Sequence, residues 1–222
     1  MTVLTLMEEA YEVKKGDTIF IHTVAGGIGL IAAQYAKWKG ATVIGTTSTD
    51  EKAQLAKARG ADHVILYTKE DTVKRVLELT NGVGVDAVFD GVGKDTYVPL
   101  PAIRSMEEVL IFRVRFKKDL ELLKRKGTLV SFGFASGFVL PFQLFMLTDK
   151  NIKLASPSVQ NYLVTPEEGT RYSRLFFDVV SKGIVKIYVS EEYPFSAEGV
   201  QQAQTDLTRG KSAGKLVIKI GD

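Results

Sequence analysis

A doubly wound α/β fold, with a parallel sheet covered by helices on both faces, is predicted by three observations. Short β-branched runs alternate with stretches of helical apolar spacing from residue 18 to residue 89. A glycine-rich turn, Ala25-Gly26-Gly27-Ile28-Gly29, separates the first such run from the first long helical stretch. With 45% hydrophobic and 25% charged residues among 222, the chain has the composition to bury a large core rather than stay disordered.

Leu4 to Val13 reads as a short helix with Leu6, Ala10 and Tyr11 on one side, closed by the Lys14-Lys15-Gly16-Asp17 turn. Thr18 to Val24 predicts the first strand, and Ile28 to Trp38 a helix that stops at Gly40. The alternation repeats as strand Thr42 to Thr46, helix Glu51 to Ala58 ended by Gly60, strand His63 to Leu66, helix Asp71 to Leu79 and strand Val85 to Phe89. Right-handed crossovers join parallel strands of this kind. After a long region from Lys94 to Lys126 come a strand Thr128 to Phe132, a Gly- and Phe-rich loop to Pro141, and a strand Ile152 to Ala155. A helix then runs from Pro166 to about Lys182, with Pro at its start and Gly183 past its end, the usual asymmetry of helix boundaries. The tail reads as a βαβ piece: strand Ile184 to Val189, helix Ser196 to Arg209, strand Lys215 to Ile220.

Cysteine is absent, which excludes a disulfide framework, a thiol nucleophile and a Cys-ligated zinc. Only His22 and His63 remain as histidines; both fall at strands, where core or strand-end roles are expected, so no metal site and no catalytic residue is assigned. The net charge of +3 is spread without a basic stripe, so no nucleic-acid partner is expected. No apolar run reaches bilayer-spanning length and the N-terminus lacks a signal-peptide pattern, which makes a cytoplasmic protein without membrane contact the expectation.

A glycine turn between a strand and a helix lets backbone N–H groups approach a pyrophosphate at the positive end of the helix dipole. Gly26, Gly27 and Gly29 stand there, with Val24 in place of the first fingerprint glycine; taken alone, they serve equally as turn residues. At the end of the second strand, where an NAD site carries an acid for the ribose 2′-hydroxyl, the sequence reads Gly45-Thr46-Thr47-Ser48-Thr49-Asp50-Glu51-Lys52. Small hydroxyl residues followed by Lys52 favour NADPH, whose 2′-phosphate a lysine would pair. The other reading of Ser48 to Lys52 is a helix cap, with Asp50 as the cap residue, followed by solvated charges.

With His22-Thr23-Val24-Ala25-Gly26-Gly27-Ile28-Gly29-Leu30 and the second-strand segment in place, the chain resembles the zeta-crystallin-like, zinc-independent quinone oxidoreductases of the medium-chain dehydrogenase/reductase superfamily. Gly60 to Ile65, Gly84 to Asp90, Lys124 to Gly133 and Gly214 to Val217 continue the likeness over nearly the whole chain. The resemblance implies a Rossmann domain for residues 17–188, preceded by a linker helix at 1–16 and followed by a segment, 189–222, that returns to a β-rich catalytic domain expected to be missing. It implies that Lys52 and Tyr67 hold the 2′-phosphate with Ser48 nearby, that Phe132 and Gly133 line the nicotinamide end, that Val92 touches the adenosine, and that Lys215 reaches the cofactor from the tail. Ala25 to Gly29 would cradle the pyrophosphate. It further implies reduction of a small quinone-like substrate and a homodimer through the edge strand near Ile152 to Ala155.

Two local departures stand out. The stretch from about Pro99 to Lys117 has no counterpart in the family; its alternation of Phe112, Val114 and Phe116 with Arg113 and Arg115 fits a strand, an amphipathic surface segment or a retained non-coding stretch. Phe134 stands where the family loop carries Asn. The expected function is therefore NADPH-dependent quinone reduction, with a catalytically incomplete NADPH-binding fragment as the alternative.

Overall fold

The computed structural model describes residues 1–93, 117–137, 143–210 and 212–221. The expected insert at 99–117 lies outside these residues except for Lys117, and so does the loop around Pro141.

Six parallel strands form one sheet: β1 (Thr18–Ile21), β2 (Thr42–Thr47), β3 (His63–Leu66), β4 (Val85–Asp90), β5 (Leu123–Ser131) and β6 (Lys153–Ala155). Their order, β3-β2-β1-β4-β5-β6, reverses direction beside β1, the strand order of a doubly wound dinucleotide-binding sheet. The helices are α1 (Thr2–Thr5, continued by a π-helical turn to Ala10), α2 (Gly29–Lys39), α3 (Asp50–Ala58), α4 (Thr72–Leu79), α5 (Lys117–Leu122), α6 (Pro166–Ser181) and α7 (Ala197–Thr208). Strands β7 (Val189–Pro194) and β8 (Lys215–Lys219) pair in parallel as a separate two-stranded sheet bridged by α7.

Alternation along the strands explains the two layers. On β1, Ile19 and Ile21 pack with Val43, Ala87, Phe89 and Val130 against Leu30 and Ala33 of α2 and Tyr172 and Val179 of α6. Phe20 points the other way, into a second cluster with Ile44, Ile65, Val88 and Leu129, covered by Val76 of α4 and Leu120 and Leu122 of α5. A sheet buried on both faces must be apolar at consecutive positions, which is why the strands read as continuous runs.

Several boundaries differ from the sequence expectation. Strand β1 ends at Ile21 rather than Val24, because Thr23 adopts a left-handed φ of 51° and its carbonyl accepts from Gly26 N at 2.8 Å, turning the chain into the glycine loop. The expected strand Ile184 to Val189 is not one; β7 begins where it was to end. After Gly183 (φ 67°), the amides of Ile184 and Val185 cap α6 by bonding Val179 O, and Gln34 clamps the backbone of Lys186 at both N and O. Apolar Ile184 and Val185 thus serve the core without pairing in a sheet. Strand β5 starts five residues early, at Leu123, through an irregular register in which Val85 faces Leu123 but Ala87 faces Thr128. Thr49, not Asp50, caps α3: its side chain accepts from Lys52 N, while Asp50 lies inside the first turn and pairs with Lys69 at 2.7 Å. A negative charge is favourable there too, which is why sequence alone did not separate the two.

Candidate nucleotide-binding site

The turn after β1 is shaped by close approaches that only small residues permit. A Cβ on Gly29 would stand 2.5 Å from Thr23 O and 2.6 Å from Val24 Cα, so the start of α2 lies directly against the turn. Val24, fully buried in the first fingerprint position, is accommodated from the neighbouring strand: a Cβ on Gly45 would come within 2.4 Å of Val24 Cβ. Ile28 is the N-cap of α2 and supplies no side-chain cap, whereas α3, α4, α6 and α7 are capped by Thr49, Asp71, Thr165 and Ser196. The first turn of α2 therefore presents its positive end beside Ala25 and Gly26 without a protein oxygen from its own cap residue.

The predicted residues gather in four places. Lys215 lies over the turn: a Cβ on Gly27 would meet its Cδ and Cε at 2.9 Å. Gly214 N donates to Ala25 O at 2.9 Å and Gly26 bridges to Gly214, so the start of β8 is tied to the glycine loop. Ser48 and Lys52 share a cavity of about 790 Å³ with Tyr188, Ser190, Ser212 and Leu216 between the end of β2 and the small sheet. Lys52 Nζ donates to Gly210 O at 2.8 Å, and partial burial holds its ammonium below the ordinary pKa.

Tyr67 and Val92 line a different crevice of about 440 Å³ at the carboxyl ends of β1 to β4, together with His22, Thr23, Thr46 and Asp119. The end of β3 nonetheless reaches the Ser48 region through backbone and hydroxyl contacts, Tyr67 N to Thr47 O at 3.2 Å and Thr68 Oγ1 to Ser48 O at 3.1 Å. Phe132 and Gly133 follow β5 and press on Gly91, whose added Cβ would meet the Phe132 ring at 2.6 Å. Val92 is held by Asp90, whose Oδ1 accepts from Val92 N at 2.8 Å, and Ser136 donates to its carbonyl. Phe134, where the family loop has Asn, is about half exposed.

Sequence reasoning missed Asp119, placed by α5 beside His22 with Nε2 and Oδ1 2.8 Å apart. It also missed Tyr188 and Gly210, which wall the Lys52 cavity from the tail. Asp119 follows closely on the stretch that has no family counterpart, so nothing in the local pattern tied it to His22, 97 residues away.

A family model described as zinc-binding dehydrogenase matches residues 27–101. Quinone oxidoreductase 1 of Escherichia coli is 36% identical over 219 residues, covering 98% of this chain and 61% of that protein. The chain is similar to quinone oxidoreductases along 98% of its length. A crystal structure of the Escherichia coli quinone oxidoreductase complexed with NADPH superposes with a TM-score of 0.84 at 36% identity, covering 98% of this chain and 62% of that one. Among the reductases, the 2-haloacrylate reductase of a Burkholderia species is 33% identical over 198 residues, covering 87% of this chain and 53% of its own. The chain thus spans about 61% of the length of the first quinone oxidoreductases it matches. Its doubly wound α/β fold is that of these homologues. The zinc in the family model's description has no cysteine to bind here, and among the described residues no group of three or more His, Asp or Glu is placed to hold a metal.

Proposed function

We propose that this chain binds NADPH across the carboxyl edge of its sheet and that the protein transfers a hydride from it to a quinone or a related conjugated carbonyl. The end of β2 carries the cofactor choice: Thr46 and Thr47 stand where an acid would repel a 2′-phosphate, and Lys52 lies one helical turn further on. The glycine turn and the uncapped start of α2 fit the pyrophosphate, the crevice with Tyr67 and Val92 fits the adenosine, and Phe132 and Gly133 stand at the nicotinamide end. Lys215, lying over Gly27, adds a positive charge next to the pyrophosphate. Support also comes from the NADPH-bound structure and the reductase names of the relatives.

When bound, NADPH supplies the hydride, and with one proton a quinone becomes a hydroquinone. The chain's own residues bind and orient the dinucleotide and exclude water from it. Lys52 Nζ donates to Gly210 O; a 2′-phosphate would offer it a stronger, charge-assisted partner than that carbonyl. We also propose a homodimer through β6, which among the described residues is paired on one side only and exposes Leu154, because an open apolar edge is covered when a second copy adds its own.

The test is NADPH oxidation by the purified chain with a simple benzoquinone. Turnover supports the whole proposal; saturable NADPH binding without turnover leaves the alternative, a nucleotide-binding module; absence of both rejects it. Sedimentation at increasing concentration, with Leu154→Lys as a disrupting variant, tests the dimer.

A further inference from the structure

A carboxylate enclosed by apolar residues is costly unless its oxygens find donors. The Asp119 side chain, 2% exposed, gives Oδ1 to His22 Nε2 at 2.8 Å. Its Oδ2, equally closed to water, is the sole buried side-chain polar atom without a hydrogen-bond partner among the described residues. Asp119 also lines the 440 Å³ crevice, where Val73, Val92 and Leu122 contribute apolar walls suited to a planar base. Burial pushes the His22 imidazole down, but the Asp119 carboxylate, with Asp90, outweighs it and holds the ring above its usual pKa. A carboxylate accepts at both oxygens and donates at neither.

We propose that Asp119 is a base-reading residue whose Oδ2 accepts a hydrogen bond from the exocyclic amine of adenine, so that the site selects a 6-aminopurine dinucleotide over its 6-keto counterpart. This rests on the dinucleotide reading above. Asp119 borders the crevice while its Oδ1 stays with His22 Nε2, which leaves Oδ2 as the oxygen that can accept from a base seated there. Adenine presents an N–H donor at that edge. Hypoxanthine presents a carbonyl oxygen, which would meet the carboxylate acceptor to acceptor and leave both unpaired. His22 fixes the orientation of Asp119 and is a positioning residue.

Fluorescence titration of the full chain with NADPH and with reduced nicotinamide hypoxanthine dinucleotide phosphate, identical except for that one group, tests this directly. The native chain should bind NADPH at least about tenfold more tightly, the scale of a lost hydrogen bond to a charged group. Asp119→Asn retains an oxygen for His22 and offers an amide N–H to the keto oxygen, so it should narrow or invert the ratio. Equal dissociation constants in the native chain overturn the proposal, as does a native-like ratio in Asp119→Asn shown folded by its melting curve. If that variant does not fold, the native comparison decides alone. Binding of neither dinucleotide rejects the nucleotide reading itself and this proposal with it, an outcome distinct from equal binding.

Discussion

At the scale of single residues, the glycine turn is defined less by its glycines than by what they touch. Gly29→Ala would drive a Cβ into the backbone of Thr23 and Val24, which cannot retreat as a side-chain end can. We expect it to cost roughly 1–3 kcal/mol, read as a lowered denaturant midpoint. Val24 in the glycine turn and Gly45 on β2 form a size-matched pair. Gly45→Ala alone should destabilise strongly, and adding Val24→Gly should restore much of the loss, a coupling a double-mutant cycle in denaturant will measure. For His22, the folded pKa is raised, so its contribution to stability is fully present below the unfolded value of about 6.5 and is lost as pH rises through the higher folded value. The melting-temperature gap between the native chain and His22→Asn should therefore be largest in mild acid and shrink as pH rises above neutrality. The glycine turn and the place of Lys52 in the first turn of α3 were legible because both are local features. The His22–Asp119 pair was not, because it is made by packing α5 against the end of β1, a contact no spacing encodes.

At the scale of elements, the sequence predicted the strands and helices from β1 to β4 because a doubly covered parallel sheet demands uninterrupted apolar runs, and those runs are plain there. It failed where apolar residues serve another purpose. Ile184 and Val185 look like a strand but close the end of α6, their amides satisfied by Val179 O. The start of α6 was legible for the opposite reason, since Pro166 is a sequence signal; the structure adds a capping pair, in which Thr165 accepts from Glu168 N and Glu168 accepts from the amides of Val164 and Thr165 at 2.9 Å. Thr165→Ala should cost about 0.5–2 kcal/mol of unfolding free energy, and Thr165→Asn should recover most of it. The N-terminal helical segment is stitched to two helices by adjacent carboxylates, Glu8 accepting from Tyr35 on α2 at 2.7 Å and Glu9 accepting from Tyr172 on α6 at 2.5 Å. Burial and these acidic neighbours push both tyrosines well above their ordinary pKa, so the phenols stay donors throughout the physiological range.

At the scale of the whole molecule, the small sheet and the large one meet around the proposed cofactor. Gly214 is bonded to Ala25, Lys52 reaches Gly210, and Lys215 covers Gly27, so the glycine loop, the end of β2 and the start of β8 form one contact region. A dinucleotide seated there touches both sheets. Hydrogen exchange should consequently slow together in the glycine loop and in β8 on adding NADPH, while the exposed edge at β6 is unaffected; slowing confined to the large sheet would separate the tail from the site. The measurement closest to the central claim is a parallel fluorescence titration with NADPH and NADH, repeated with Lys52→Ala. The account predicts saturable binding that favours NADPH, and a loss of about 10- to 100-fold in NADPH affinity on the substitution with NADH little changed, as for removal of one charge-assisted partner. Equal binding of the two dinucleotides, or a Lys52→Ala variant that retains the preference, would contradict it.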